Sequence, residues 1–119
     1  MKKSCFLNYI DDIEKDTTSE RFLSKYKEIL ANLENNPEIE KDLKIYIALS
    51  NKIRFLIFKL IEIHPMCTCA LAKIFGKNDA TITHHLKKLD NAGLISGKKQ
   101  GYYTIYYSNK ALIDQLASY

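Results

Sequence analysis

Asn78-Asp79-Ala80-Thr81-Ile82-Thr83-His84-His85-Leu86-Lys87-Lys88-Leu89-Asp90-Asn91-Ala92 is the stretch on which the reading of the chain turns. Asn78 has the side chain of a helix N-cap, and Gly93 closes the run as a C-terminal glycine does. Between them Ile82, Leu86 and Leu89 recur at helical spacing, so the stretch predicts a helix over 79–91 with one apolar stripe. Ala80, Thr83, His84, Lys87 and Lys88 fall on or beside the opposite face. Taken alone, a lysine pair on a helix is an ordinary solvated face; what precedes and follows this helix decides between that reading and one in which the face meets a polyanion.

Upstream, His64-Pro65 starts a new element, because proline fixes its own backbone and pushes the preceding residue out of helix. A short helix from Pro65 to Phe75, stopped at Gly76, is expected there, and the two helices with Gly76 in the turn between them make a helix-turn-helix. Downstream the period changes from helical to alternating. Leu94-Ile95-Ser96 and Tyr102-Tyr103-Thr104-Ile105-Tyr106-Tyr107 read as strands, joined by Gly97-Lys98-Lys99-Gln100-Gly101 as a basic hairpin tip. Asn109 caps a last short helix with Leu112, Ile113 and Leu116. Helix-turn-helix, hairpin, helix is the order of a winged helix, whose second helix enters the major groove while the hairpin touches the flanking backbone or minor groove. The fold class is therefore mainly α with a β-hairpin.

The candidate DNA-binding residues are Asn78, Ala80, Thr81, Thr83, His84, Lys87, Lys88, Lys98 and Lys99. Thr83 and His84 can hydrogen-bond base edges, Thr81 near the helix start can reach a phosphate, and the four lysines neutralise phosphates. Asp79 is the awkward member, since a carboxylate caps the helix but repels phosphate unless it accepts from a cytosine amino group. His84 and His85 do not suggest a shared metal, because adjacent helical positions diverge by about 100°.

The first part of the chain differs in character. Ser19 is the expected N-cap of an amphipathic helix carrying Phe22, Leu23, Tyr26, Ile29, Leu30 and Leu33, ended by Asn35-Asn36-Pro37. Asn36 caps the next helix with Pro37 at its first position, and Ser50 is expected to cap a strongly apolar helix from Asn51 to Ile63. Residues 1–49 hold 8 Lys/Arg against 10 Asp/Glu, net −2, while residues 50–119 hold 10 against 4, net +6. A basic second half beside an acidic first half suggests that the second meets a polyanion. The expected division is an N-terminal arm over 1–18 and one domain over 19–119.

No segment approaches the roughly 20 apolar residues that span a bilayer, and Met1-Lys2-Lys3-Ser4-Cys5 does not open an export signal. A cytoplasmic protein without a membrane partner is expected. Three cysteines, an odd number, argue against a disulfide framework and for reduced thiols.

Several stretches together resemble, in the right order over about residues 45–108, the ArsR/SmtB family of metal-sensing repressors. They are Leu49-Ser50-Asn51-Lys52-Ile53-Arg54, Met66-Cys67-Thr68-Cys69-Ala70-Leu71-Ala72, Thr81-Ile82-Thr83-His84-His85-Leu86-Lys87-Lys88-Leu89, Ala92-Gly93-Leu94-Ile95 and Lys98-Lys99-Gln100-Gly101. The resemblance implies a homodimer paired through its first and last helices, bound to double-stranded operator DNA and released by an inducer. Lys52 stands where the family commonly has proline. The family's thiolate motif Leu-Cys-Val-Cys-Asp-Leu is matched by Met66-Cys67-Thr68-Cys69-Ala70-Leu71. An arsenite-sensing branch has a third cysteine where this chain has Ala72; a cadmium- and lead-sensing branch draws further thiolates from an N-terminal arm, where Cys5 sits. The histidines with which zinc sensors bind metal on the last helix are missing from Ala111 to Tyr119.

The resemblance thus implies Cys67, Cys69 and Cys5 as ligands of a thiophilic metal(loid), with As(III) or Sb(III) favoured and Cd(II), Pb(II) or Zn(II) as further inducers, since thiolates prefer soft ions. His64 is a candidate fourth ligand. On the expected helix Cys67 and Cys69 diverge by about 200°, so a shared ion would have to distort the first turn, and the helix N-terminus should lower both thiol pKa values. Two alternatives stand beside this reading. One makes the thiols a redox or persulfide switch on the same DNA-binding fold. The other, a thiol enzyme using Cys67 with His64 or His84, is disfavoured because no acidic orienting group accompanies the pair.

Overall fold

The computed structural model describes residues 4–114, apart from the side chain of Lys110. Leu116 of the expected last-helix stripe lies outside the described residues, as do Met1 to Lys3. The helices are α1 (Cys5–Asp12), α2 (Ser19–Glu34), α3 (Pro37–Leu49), α4 (Lys52–Ile63), α5 (Thr68–Phe75), α6 (Asp79–Asn91) and α7 (Lys110–Asp114); the strands are β1 (Met66–Cys67), β2 (Ile95–Gln100) and β3 (Tyr103–Ser108). Two compact units divide between Ile39 and Glu40.

In the first unit α1 and α2 pack through aromatic side chains. The Phe22 ring lies 5.9 Å from that of Phe6, 6.1 Å from Tyr9 and 4.6 Å from Tyr26, and Ile10 is buried. The stretch expected as an N-terminal arm contains a helix: Ser4 Oγ accepts from the Leu7 amide at 3.2 Å, starting α1, and Phe6 and Tyr9 give it an apolar face to bury. Thr18, one residue before the expected Ser19, caps α2 by accepting from the Arg21 amide.

The second unit is built on α4. Ile57, Phe58 and Ile61 pack with Leu71 of α5, Ile82, Leu86 and Leu89 of α6, and Leu94 and Ile95 leading into β2. Each such side chain contributes about 1.5–3 kcal/mol by burial. Asn51 rather than Ser50 caps α4, accepting from the Arg54 amide at 3.0 Å. Gly76 ends α5 at φ +65°, where a side chain would strain the backbone. Asn78 caps α6 by accepting from the Thr81 amide at 2.8 Å.

Two differences from the expected elements matter for the site. The helix expected from Pro65 begins only at Thr68, because Met66 and Cys67 are extended and pair antiparallel with Tyr106 and Ile105. The free edge of β3 offers backbone partners that the first turn of a helix would leave unsatisfied, and the sheet becomes three-stranded in the order β1-β3-β2. The hairpin strands also run further than expected. Lys98 and Lys99 pair within β2 opposite Ile105 and Thr104, and the tip is the two-residue turn Gly101-Tyr102, with Gly101 at φ +62° where a type II′ turn needs it.

Candidate nucleic-acid interface and thiol site

Helix α6 presents the expected polar face. Ile82, Leu86 and Leu89 are buried, while Asn78, Ala80, His84, Lys87 and Lys88 are exposed and Thr81 and Thr83 half-buried. Helical rotation at 100° per residue puts Ala80, His84 and Lys87 on the crest opposite the core and Lys88 on a flank. That flank lines a cleft with Lys44 and Arg54. Lys98 and Lys99 are exposed on β2, and the Lys98 ammonium lies 5.3 Å from the centroid of the Tyr107 ring. Asp79, the first residue of α6, is exposed but turns out to line a different cleft, described below.

His85 does not share the exposure of His84. It is buried, and the Arg54 Nε–H points to its Nδ1 at 3.5 Å. Burial first, then the charges of Arg54, His84 and Lys77, push the His85 pKa down, so the neutral imidazole is the form that accepts from Arg54. Arg54 sits in an otherwise apolar run, and an arginine at a core-facing helical position was the available signal for this contact.

The thiols are arranged differently from the sequence expectation. Cys67 is the N-cap of α5, extended at φ −88° and ψ 168°, whereas Cys69 is the second residue of the helix. Because Cys67 has left the helix for β1, the expected 200° divergence disappears and the two Sγ atoms lie 3.2 Å apart. Two sulfurs on one tetrahedral ion at a Zn–S length of about 2.3 Å would stand roughly 3.8 Å apart, so the pair approaches a bidentate separation without unwinding α5. The expectation that both thiol pKa values fall also needs correction. The backbone N–H of Ala70, followed by the Cys69 thiol, lowers Cys67. Cys69 is raised, first by its hydrogen bond with Cys67, then by desolvation and by the charges of Cys67 and Asp79. Cys67 is the thiolate-prone sulfur and Cys69 holds the proton, which a bound soft ion would displace.

The thiols open on a cleft shared with Asp79 from α6 and with Tyr102, Tyr103, Thr104 and Tyr106 from the hairpin. Sequence reasoning missed this convergence because it depends on β1 joining β3. Among the described residues no three His, Cys, Asp or Glu side chains are gathered closely enough to hold a metal ion, so the thiol pair by itself supplies two donors. Cys5 stands in the first unit as the exposed first residue of α1. His64 caps α4 at its C-terminus in an extended conformation and is exposed.

Comparison with known proteins fits this geometry. Residues 51–96 match the family described as bacterial regulatory protein, arsR family. An uncharacterized HTH-type transcriptional regulator of Methanocaldococcus jannaschii is 36% identical over 57% of this chain and 78% of its own length. An arsenical resistance operon repressor of Staphylococcus aureus is 32% identical over 66% of this chain and 73% of its own. Among solved structures, the homodimeric winged helix-turn-helix DNA-binding domain of a possible ArsR-family regulator from Mycobacterium bovis superposes with a TM-score of 0.60 at 23% identity, over 66% of this chain and 72% of that one. Among the described residues no helix is long and apolar enough to cross a membrane. With its capped helix α6, its three-stranded sheet and these relatives, the chain belongs to the ArsR family and is a winged helix-turn-helix DNA-binding transcriptional regulator.

Proposed function

We propose that this regulator is a homodimeric repressor released from double-stranded operator DNA when a thiophilic metal(loid), foremost As(III), binds the thiolates of Cys67 and Cys69 together with that of Cys5. The observation that carries the reading is the cleft itself. It joins two sulfurs 3.2 Å apart to Asp79 on the reading helix and to the tyrosines of the wing, so an ion exchanged for the thiol proton changes charge and packing at the start of α6 and on the hairpin at once. Soft ions are selected by the sulfur donors, and three thiolates suit the three-coordinate chemistry of As(III), with Sb(III), Cd(II), Pb(II) and Zn(II) as competitors. A relative named as an arsenical resistance operon repressor supports the choice of arsenic.

In this reading Ala80, Thr83 and His84 face base edges, Asn78 and Thr81 lie at the phosphate nearest the helix start, and Lys87, Lys88, Lys98 and Lys99 neutralise phosphates. Dimerisation through α2, the first helix expected from the sequence, and the last helix would cover the apolar side chains that α2 exposes, Leu23, Tyr26, Ile29 and Leu30. Near-ultraviolet thiolate-to-metal absorbance tests the ligand set: arsenite or Cd(II) should give a saturable band that Cys67→Ser and Cys69→Ser abolish and Cys5→Ser weakens. A band unchanged in Cys67→Ser would remove the proposal.

The sulfur separation also favours a second reading, in which hydrogen peroxide takes two electrons and two protons from the pair, leaving a Cys67–Cys69 disulfide and two waters. Mass spectrometry after mild peroxide treatment, alongside operator binding, separates the two; a disulfide that leaves operator affinity unchanged eliminates the redox version.

A further inference from the structure

A second cleft, of about 520 Å³, opens between α3, α4 and α6, within the range of small-molecule sites. Three cations line it, Lys44, Arg54 and Lys88, together with Asn91 and the apolar side chains of Ile47, Ala48 and Ala92. Among the described residues no carboxylate does. Arg54 is the informative member because it is only 9% exposed. Its Nη1 donates to the Ala48 carbonyl at 3.3 Å and its Nε to His85 at 3.5 Å, and among the described residues no ion pair to it is formed.

A guanidinium carries five N–H donors in a planar fork, so two contacts leave donors unused on a side chain from which water has largely been removed. Its histidine partner brings no negative charge to offset it. A buried cation left without a counter-charge costs several kcal/mol. A cleft that collects two further lysines around such a group, with an apolar floor, has the chemistry of a site for a small anion rather than of a structural ion pair.

We propose that this cleft binds a small organic oxyanion, a carboxylate or phosphate monoester with an apolar portion, whose charged end is held by the Arg54 fork between Lys44 and Lys88 and whose apolar end lies on Ile47, Ala48 and Ala92. Such a ligand bridges α3 and α4 to the C-terminal end of α6 and gives the reading helix an input separate from the thiols. The inference stands independently of the metal(loid) reading, since it uses none of the cysteines and its test needs no metal.

The test is an NMR titration of the ¹⁵N-labelled full chain at constant ionic strength with inorganic phosphate, phenyl phosphate and citrate, with sodium chloride as control. Saturable shifts of the Arg54 Nε–H and of the Ala48, Asn91 and Ala92 amides are expected, with phenyl phosphate binding about tenfold more tightly than inorganic phosphate through its buried ring. Arg54→Lys should weaken binding about tenfold by losing the planar fork. Should that variant not fold, the exposed Lys44→Glu carries the same test and should abolish binding. The proposal is overturned if no oxyanion gives saturable shifts, if the shifts spread equally to Lys87, Lys98 and Lys99 as general screening would produce, or if Lys44→Glu binds as the wild type does. It is also overturned if free oxyanions fail to bind while Lys44→Ala lowers DNA affinity with a shallower salt dependence, since the cations would then serve the DNA backbone.

Discussion

At its N-terminal end α6 contributes Asp79 to a cleft with two sulfurs, whereas at its C-terminal end it contributes Lys88 and Asn91 to a cleft with a buried guanidinium. The two ends differ in how their chemistry is held. The thiols belong to one local turn, half-buried at Cys67 and exposed at Cys69, and reach their geometry through two residues of sheet pairing. Arg54 and His85 are brought together across 31 positions of sequence and buried among core side chains. A local, accessible pair can exchange ligands and be substituted with little effect on folding; a buried, long-range pair is tied to stability. Under the two proposals one helix takes an exchangeable ligand at one end and an anion beside a buried, stability-linked pair at the other, with Ile82, Leu86 and Leu89 between them.

The stripe between the ends is where the comparison breaks most completely. Leu86→Ala should lower unfolding free energy by about 2–5 kcal/mol in urea denaturation, and the affinities proposed for the two clefts should fall together. Next in size is Gly76→Ala, which places a side chain at φ +65° and should cost about 1–2 kcal/mol while leaving the thiol cleft intact, because the turn follows α5 rather than preceding it.

The Arg54 end should also show in the pH dependence of stability. The folded pKa of His85 lies below its unfolded value near 6.5, so between the two the unfolded chain binds the extra proton and the folded chain does not. The contribution of the neutral imidazole is complete above about pH 6.5 and is lost as the pH falls toward the folded pKa. Urea midpoints measured from pH 8 down to pH 5 should therefore decline below that value in the wild type, and decline less in His85→Gln.

The smallest expected effect lies at the thiol end. Iodoacetamide should label Cys67 before Cys69, as the opposite pKa directions require. Asp79→Asn should modestly speed Cys69 by removing one of the charges that raises it, and should lower the urea midpoint only slightly through the charge lost from the first turn of α6. Equal labelling of the two thiols would contradict the assignment of the shared proton.

How much of this was legible in the sequence follows from the range over which each feature is determined. The cap, stripe and stop of α6 are set by residues within a few positions of one another, and Asn78, the three apolar residues and Gly76 all sit where the spacing placed them. The ends of the hairpin and the start of α5 were misplaced because they depend on partners far along the chain. Pro65 is compatible with either a helix start or a strand, and only the exposed edge of β3, some 40 residues later, decides for the strand. That single choice moves Cys67 out of the helix and replaces a strained thiol turn with a pair already close together. The Arg54–His85 contact was illegible for the same reason, since neither residue carries a local sign of the other.

The most direct test of the central claim is a fluorescence-anisotropy titration of the reduced protein on its own promoter DNA with As(III), Cd(II), Pb(II) and Zn(II) in parallel, beside the same titration of Cys67→Ser. As(III) should release the wild type at the lowest concentration, and Cys67→Ser should stay bound throughout. Full operator affinity of the wild type when saturated with both arsenite and Cd(II), or release of Cys67→Ser at the same concentrations as the wild type, would contradict that claim.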